Sequence, residues 1–195
     1  MAVSPSLVAA IVQELKDEHA QVLHPLLGKL KEIADQIDAD IAVPAEVIRP
    51  GLEIWARYLT EIRAEAVRRA LGPLSSLNGP RECVQRLHEL REEASVEKSR
   101  IPNLERLLKS YSSGQFGGRT VFLGVLRSSI ESGRAWARYE EEYASRCLVQ
   151  GPVPDTEVSI TQWLEQARAL RGRLATEVQT FVVGSAVPVP VGAPS

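Results

Sequence analysis

Between positions 7 and 37, apolar residues recur at Leu7, Ile11, Leu15, Val22, Leu26, Leu30, Ile33 and Ile37. Most of these steps are three or four residues, the period of an α-helix and not the two-residue alternation of a strand. Ser4 is placed as the N-cap and Pro5 at the first helical position, where an N–H would have no intrahelical acceptor anyway. The pattern predicts one helix from about Ser4 to Asp38. A helix that long, with a single apolar face, must be covered along its length by partners of similar length, which directs the chain toward an all-α architecture.

The remaining sequence supplies those partners. The stretch DADIAVP ends the first helix, and Pro44 opens a second that runs to Gly72 and is expected to bend at Pro50-Gly51. After GPLSSLNGP, a third helix extends from Pro80 to about Ser110, disturbed at Pro102, and SSGQFGG separates it from a fourth between Gly118 and Leu148. Beyond VQGPVPD, Thr156 begins a fifth helix to about Val183, in which Ile160, Ala167, Leu174 and Phe181 repeat every seventh residue, with Trp163, Leu170 and Val178 beside them. Such a narrow seam over residues 160–182 suits packing within the chain or self-association equally. The segment GSAVPVPVGAPS has three prolines and no charge, so a flexible tail is expected over residues 184–195. No strand pattern and no internal repeat appears. The reading is an antiparallel four-helix bundle over residues 1–151, an accessory amphipathic helix over 152–183, and the tail.

Composition narrows the classes of function. The 23 Lys and Arg against 25 Asp and Glu leave a formal charge of -2, with no basic excess to follow a phosphate backbone or an anionic membrane. No nucleic-acid or membrane partner is expected. No apolar run approaches the roughly 20 residues of a membrane span, and MAVSPSLVAAIVQELKDEH lacks the pattern of a secretory signal, so a cytoplasmic protein is expected. Cys83 and Cys147 are too few for a disulfide framework and are read as buried thiols.

One stretch carries a resemblance. LKDEHAQVLHPLL, residues 15–27, is similar to the first helix of hemerythrin-like, or HHE cation-binding, proteins, and the likeness in helix order spans about residues 7–148. That resemblance implies a four-helix bundle holding two irons through histidines and carboxylates from all four helices, for oxygen binding or sensing. Carried over by position, His19 matches the first-helix histidine. EIRAE places Glu61 where a histidine is expected and Glu65 at the carboxylate, RLHELREE places His88 near the third-helix histidine, and LRSSIESG has Ser129 and Gly133 where a histidine and a carboxylate belong. Most of the metal set is therefore missing, and if iron were bound the contributors would be His19, Glu61, Glu65 and His88.

Helical geometry gives a separate test at about 100° per residue. Counted from Leu7, the apolar stripe of the first helix spans roughly 0° to 160°; His19 falls near 120°, inside it, and His24 falls outside, subject to a kink from Pro25. His88 lies opposite its own stripe, and Glu61 and Glu65 lie at the edge of theirs. Ser129 and Gly133 fall at the centre of a fourth-helix stripe drawn through Val121, Phe122, Val125, Trp136, Tyr139 and Tyr143. Small residues facing the bundle centre leave two possibilities: a pocket lined by His19, Trp55, Tyr58, Ser129, Gly133, Trp136 and Tyr139, or a core closed by those aromatics.

The expectation is a core histidine at position 19, no favoured metal or cofactor, and no catalytic residues. The function read from this is a non-catalytic hemerythrin-like module that has lost its di-iron site and serves in structure or interaction. The alternative is a reduced metal or small-ligand site around His19. The tail offers a docking peptide, and it faintly resembles the targeting peptides of cargo proteins carried inside encapsulin shells.

Overall fold

A computed structural model of the chain describes residues 5–63, 99–147 and 157–184. Among these, five helical rods account for the structure and no strand occurs. The first rod comprises α1 (Pro5–Glu18), a π-turn (His19–Leu23) and α2 (His24–Asp38). The second comprises α3 (Ala45–Arg57) and a π-turn (Tyr58–Arg63). Then follow α4 (99–112), α5 (Gly118–Cys147) and α6 (Glu157–Gly184). The expected start of the third helix, the loop before it, Glu65, Cys83, His88 and the tail lie outside the described residues.

The first rod is central and packs against the second rod, α5 and α6. Its α2 half carries the core: Leu26, Leu27, Leu30, Ile33, Ala34 and Ile37 are buried with Ile48, Leu52, Leu104, Phe122 and Leu126. The fifth rod, α6, spends its seam inside the chain, since Leu174, Val178 and Phe181 are buried in that same core. Gly51 permits this approach, because a Cβ there would lie 2.5 Å from the Phe181 ring. The helix runs on through Pro50.

Local chemistry explains the turns. At the end of α2, Asp40 adopts φ +63, Ile41 N–H donates to Gln36 C=O (3.0 Å) and Asp40 N–H to Ile37 C=O (3.2 Å), the paired bonds of a Schellman cap. At the end of α4 the same two bonds form around Gly114, φ +67. The Tyr111 hydroxyl donates to Val43 C=O (2.9 Å) and accepts from Val43 N–H (3.2 Å), while its ring stacks on Phe122, fixing α4 to the α2–α3 connection.

The π-turn in the first rod has a visible cause. In an uninterrupted α-helix the Pro25 ring would press on Gln21 C=O, and Pro25 has no N–H to bond it. The helix widens instead, so that His24 N–H bonds five residues back to His19 C=O. One extra residue in the turn rotates everything N-terminal to it by about 100° relative to α2. As a result Glu14 and Glu18 are buried, whereas Leu15 is only half-buried. The straight stripe drawn from the sequence placed Leu15 at the interior.

A buried ionic cluster between four rods

His19 is fully buried, in keeping with its place inside the stripe. Its ring is held on both sides by α5: Nδ1 lies 2.8 Å from Glu141 Oε1 and Nε2 lies 3.1 Å from Glu140 Oε2. Burial opposes a charge on the ring, but the bonds and charges of Glu140, Glu18 and Glu141 outweigh it, and the pKa is pushed up to about 9. At neutral pH His19 is an imidazolium that donates through both nitrogens, with no lone pair left for a metal.

Glu18 reaches the second rod. The Tyr58 hydroxyl, itself 0% exposed, donates to Glu18 Oε1 at 2.6 Å. Burial is the dominant influence and, with the negative charges of Glu140 and Glu14, prevails over His19 and the Tyr58 bond, which act in the opposite sense; the Glu18 pKa is pushed up to about 7. One turn earlier, Glu14 faces α6, where Arg171 clamps it with Nε at 2.7 Å and Nη2 at 3.1 Å, and Arg168 Nε stands 3.5 Å away. Arg171 Nη1 also donates to Gln21 Oε1 at 2.7 Å. Four rods thus meet in one polar network whose members at the centre are buried, a setting in which each partner is costly to remove.

The position facing the fourth helix is filled by carbon and a weak hydrogen bond. Trp55 is 1% exposed, stacks on Tyr58, and donates from Nε1 to Ser129 Oγ at 3.3 Å. A Cβ added at Gly133 would lie 2.9 Å from Trp55 Cη2 and 3.0 Å from Leu27 Cδ1. Tyr139 departs from the expected lining: it is 41% exposed, as is Val121 at 52%. The buried arc of α5 instead runs through Phe122, Leu123, Leu126, Ser129, Ile130 and Ala137. Counted from Gly118 at about 100° per residue it spans roughly 20° to 140°, and Val121 and Tyr139 fall near 300°.

The arc also locates what sequence reasoning missed. Glu140 and Glu141 fall near 40° and 140°, in phase with Phe122 and Ile130, so two acidic residues on the buried face were the available signal. Glu14 and Glu18 had no comparable signal, because the π-turn that brings them inward does not show in hydrophobic spacing. Of the other sequence candidates, Glu61 is exposed, and His24 is exposed with its ring centroid 6.0 Å from that of His19. The side chain of Trp136, with Glu65 and His88, lies outside the described part of the molecule.

The residues present do not fit a two-iron site. The first-helix histidine is committed to two carboxylates, and Ser129 and Gly133 offer neither imidazole nor carboxylate. Among the described residues no group of three or more His, Cys, Asp or Glu is arranged to hold a metal ion, and no helix is long and apolar enough to cross a membrane. No family model, curated protein or solved structure matches the chain.

Proposed function

We propose that this chain is a non-catalytic structural or interaction module of hemerythrin-like design, in which a hydrogen-bonded ionic cluster stands where a metal centre would tie the helices together. The observation that supports this reading is the double engagement of His19 by Glu140 and Glu141 in a fully buried setting. A metal centre joins helices by sharing ligands from each. Here a cationic ring, two carboxylates and a tyrosine join them by charge-assisted hydrogen bonds. The outer faces of the rods, and the segment 184–195, are then what the module presents to a protein partner.

The test is the metal content of protein purified from iron-supplied cells, together with thermal unfolding before and after exhaustive chelation. The expected outcome is no stoichiometric metal and an unchanged Tm. Two metal ions per chain with a melt that falls on chelation would overturn the proposal, because His19 would then have to give up both carboxylates.

A further inference from the structure

We propose that Pro25 is the positioning residue of the ionic cluster: it sets the rotational register of α1, and without it Glu14 and Glu18 leave the interior. The inference stands on packing and does not depend on the functional reading above. In the register observed, Glu14 and Glu18 are buried, Lys16 is exposed, and Val12 and Leu15 are half-buried. Closing the His19–Leu23 turn to an ordinary α-turn rotates Pro5–Glu18 by about 100° about the helix axis. Val12 and Leu15 then come into line with Val22, Leu26 and Ile33, as the apolar spacing of the sequence anticipates. Lys16 moves onto the buried arc beside them, and Glu14 turns away from Arg171.

Two registers therefore compete for the same helix. The straight one buries leucine and valine and completes the backbone ladder. The observed one buries two carboxylates, and it holds them with Arg171 and Tyr58. The straight register is obstructed by the Pro25 ring against Gln21 C=O, an obstruction that Pro25→Ala removes. The exposed Ala20 offers the reciprocal change: deleting it takes the extra residue out of the turn and leaves Glu14 and Glu18 facing inward whatever occupies position 25.

The experiment reads the register from a thiol placed at position 16 by Lys16→Cys in the full chain, with its alkylation rate followed by peptide mass spectrometry. In the parent background this thiol is exposed and labels quickly. Adding Pro25→Ala is expected to slow labelling at least tenfold while helical circular dichroism is retained, and deleting Ala20 as well should restore the fast rate. A second readout is the coupling between Glu14→Gln and Arg171→Gln in thermal unfolding, expected to be strong with Pro25 and absent with Pro25→Ala. A labelling rate unchanged by Pro25→Ala would overturn the proposal. So would a loss of helix content on Pro25→Ala, since the chain would then have no second register to adopt.

Discussion

The first rod is two structures in one chain. From Val22 to Ile37 its buried face is apolar with Lys29 as the exception, whose ammonium reaches out to Glu32 at 3.0 Å. From Glu14 to His19 the described buried residues are two carboxylates and a histidine. In the first half burial and hydropathy agree, and stability comes from area removed from water. In the second they disagree, and each buried group depends on a named partner on another rod. Apolar packing forgives approximate partners, whereas a buried ionic cluster fails when one member is lost.

The sharpest way to break the comparison is His19→Ala against Leu30→Ala. Removing His19 strands Glu140 and Glu141 against the rod, and loss of one partner of a buried ion pair costs about 3–5 kcal/mol. Leu30→Ala should cost about 2–5 kcal/mol, as a cavity in a packed core. The two differ in their response to pH. Because the folded pKa of His19 is raised from 6.5 to about 9, its contribution is complete below 6.5 and disappears as pH rises through about 9, a window worth about 3 kcal/mol. The cost of His19→Ala, measured by urea denaturation, should therefore shrink from pH 6 to pH 9.5 while that of Leu30→Ala stays constant. Parallel profiles would show that the ring acts only by filling space.

Glu18 sharpens the same contrast at lower pH. Its folded pKa is raised from 4.5 to about 7, so the folded state holds a proton that the unfolded chain releases, and the stability associated with it is present below 4.5 and lost as pH rises through about 7. Glu18→Gln keeps an acceptor for Tyr58 and removes the charge. The variant should gain stability relative to the parent between pH 5 and pH 8, by about 1–3 kcal/mol at the upper end. A variant that loses stability throughout would mean that the attraction of ionised Glu18 to His19 outweighs its burial.

Legibility divided along the same line. The positions of the long rods followed from apolar spacing and proline punctuation, because each long helix buries a continuous stripe and each break is marked by glycine, proline or a polar run. His19 was placed inward by phase alone. Its partners were not found, since charge on a helix was read as a solvated face; Glu140 and Glu141 repeat the phase of Phe122 and Ile130 and could have been recognised from it. Glu14 and Glu18 were out of reach for a different reason. Their burial depends on one extra residue in a turn, and a stripe computed at constant pitch cannot contain that information. Pro25 was the visible cue, read as a kink when its consequence was a change of phase.

Gly133→Ala probes the apolar end of the aromatic filling. The new methyl would press on the Trp55 ring and on Leu27, and overpacking of this kind costs about 1–3 kcal/mol. Displacing Trp55 should also weaken its bond to Ser129. The expected result is a lower Tm with a shifted tryptophan emission, whereas an unchanged Tm would indicate slack around Trp55 that the close approach does not suggest.

The smallest effect belongs to the turn that closes the apolar half. Asp40 sits at φ +63 in the cap after α2, a conformation in which a side chain costs about 1 kcal/mol relative to glycine. Against that, the Asp40 carboxylate pairs with Arg119, which also donates to Asp38 C=O at 2.9 Å. The pair is exposed on both sides, and exposed pairs contribute about 0–1 kcal/mol. Arg119 keeps its carbonyl acceptor when the carboxylate is gone, so the backbone term should win, and Asp40→Gly should raise stability by a few tenths of a kcal/mol. Because the opposing electrostatic contribution is screened, the gain should grow with salt. A gain that falls with salt would mean that the pair is not what opposes it. The buried cluster around His19 should show little of this salt dependence, since screening reaches exposed charges far more than buried ones.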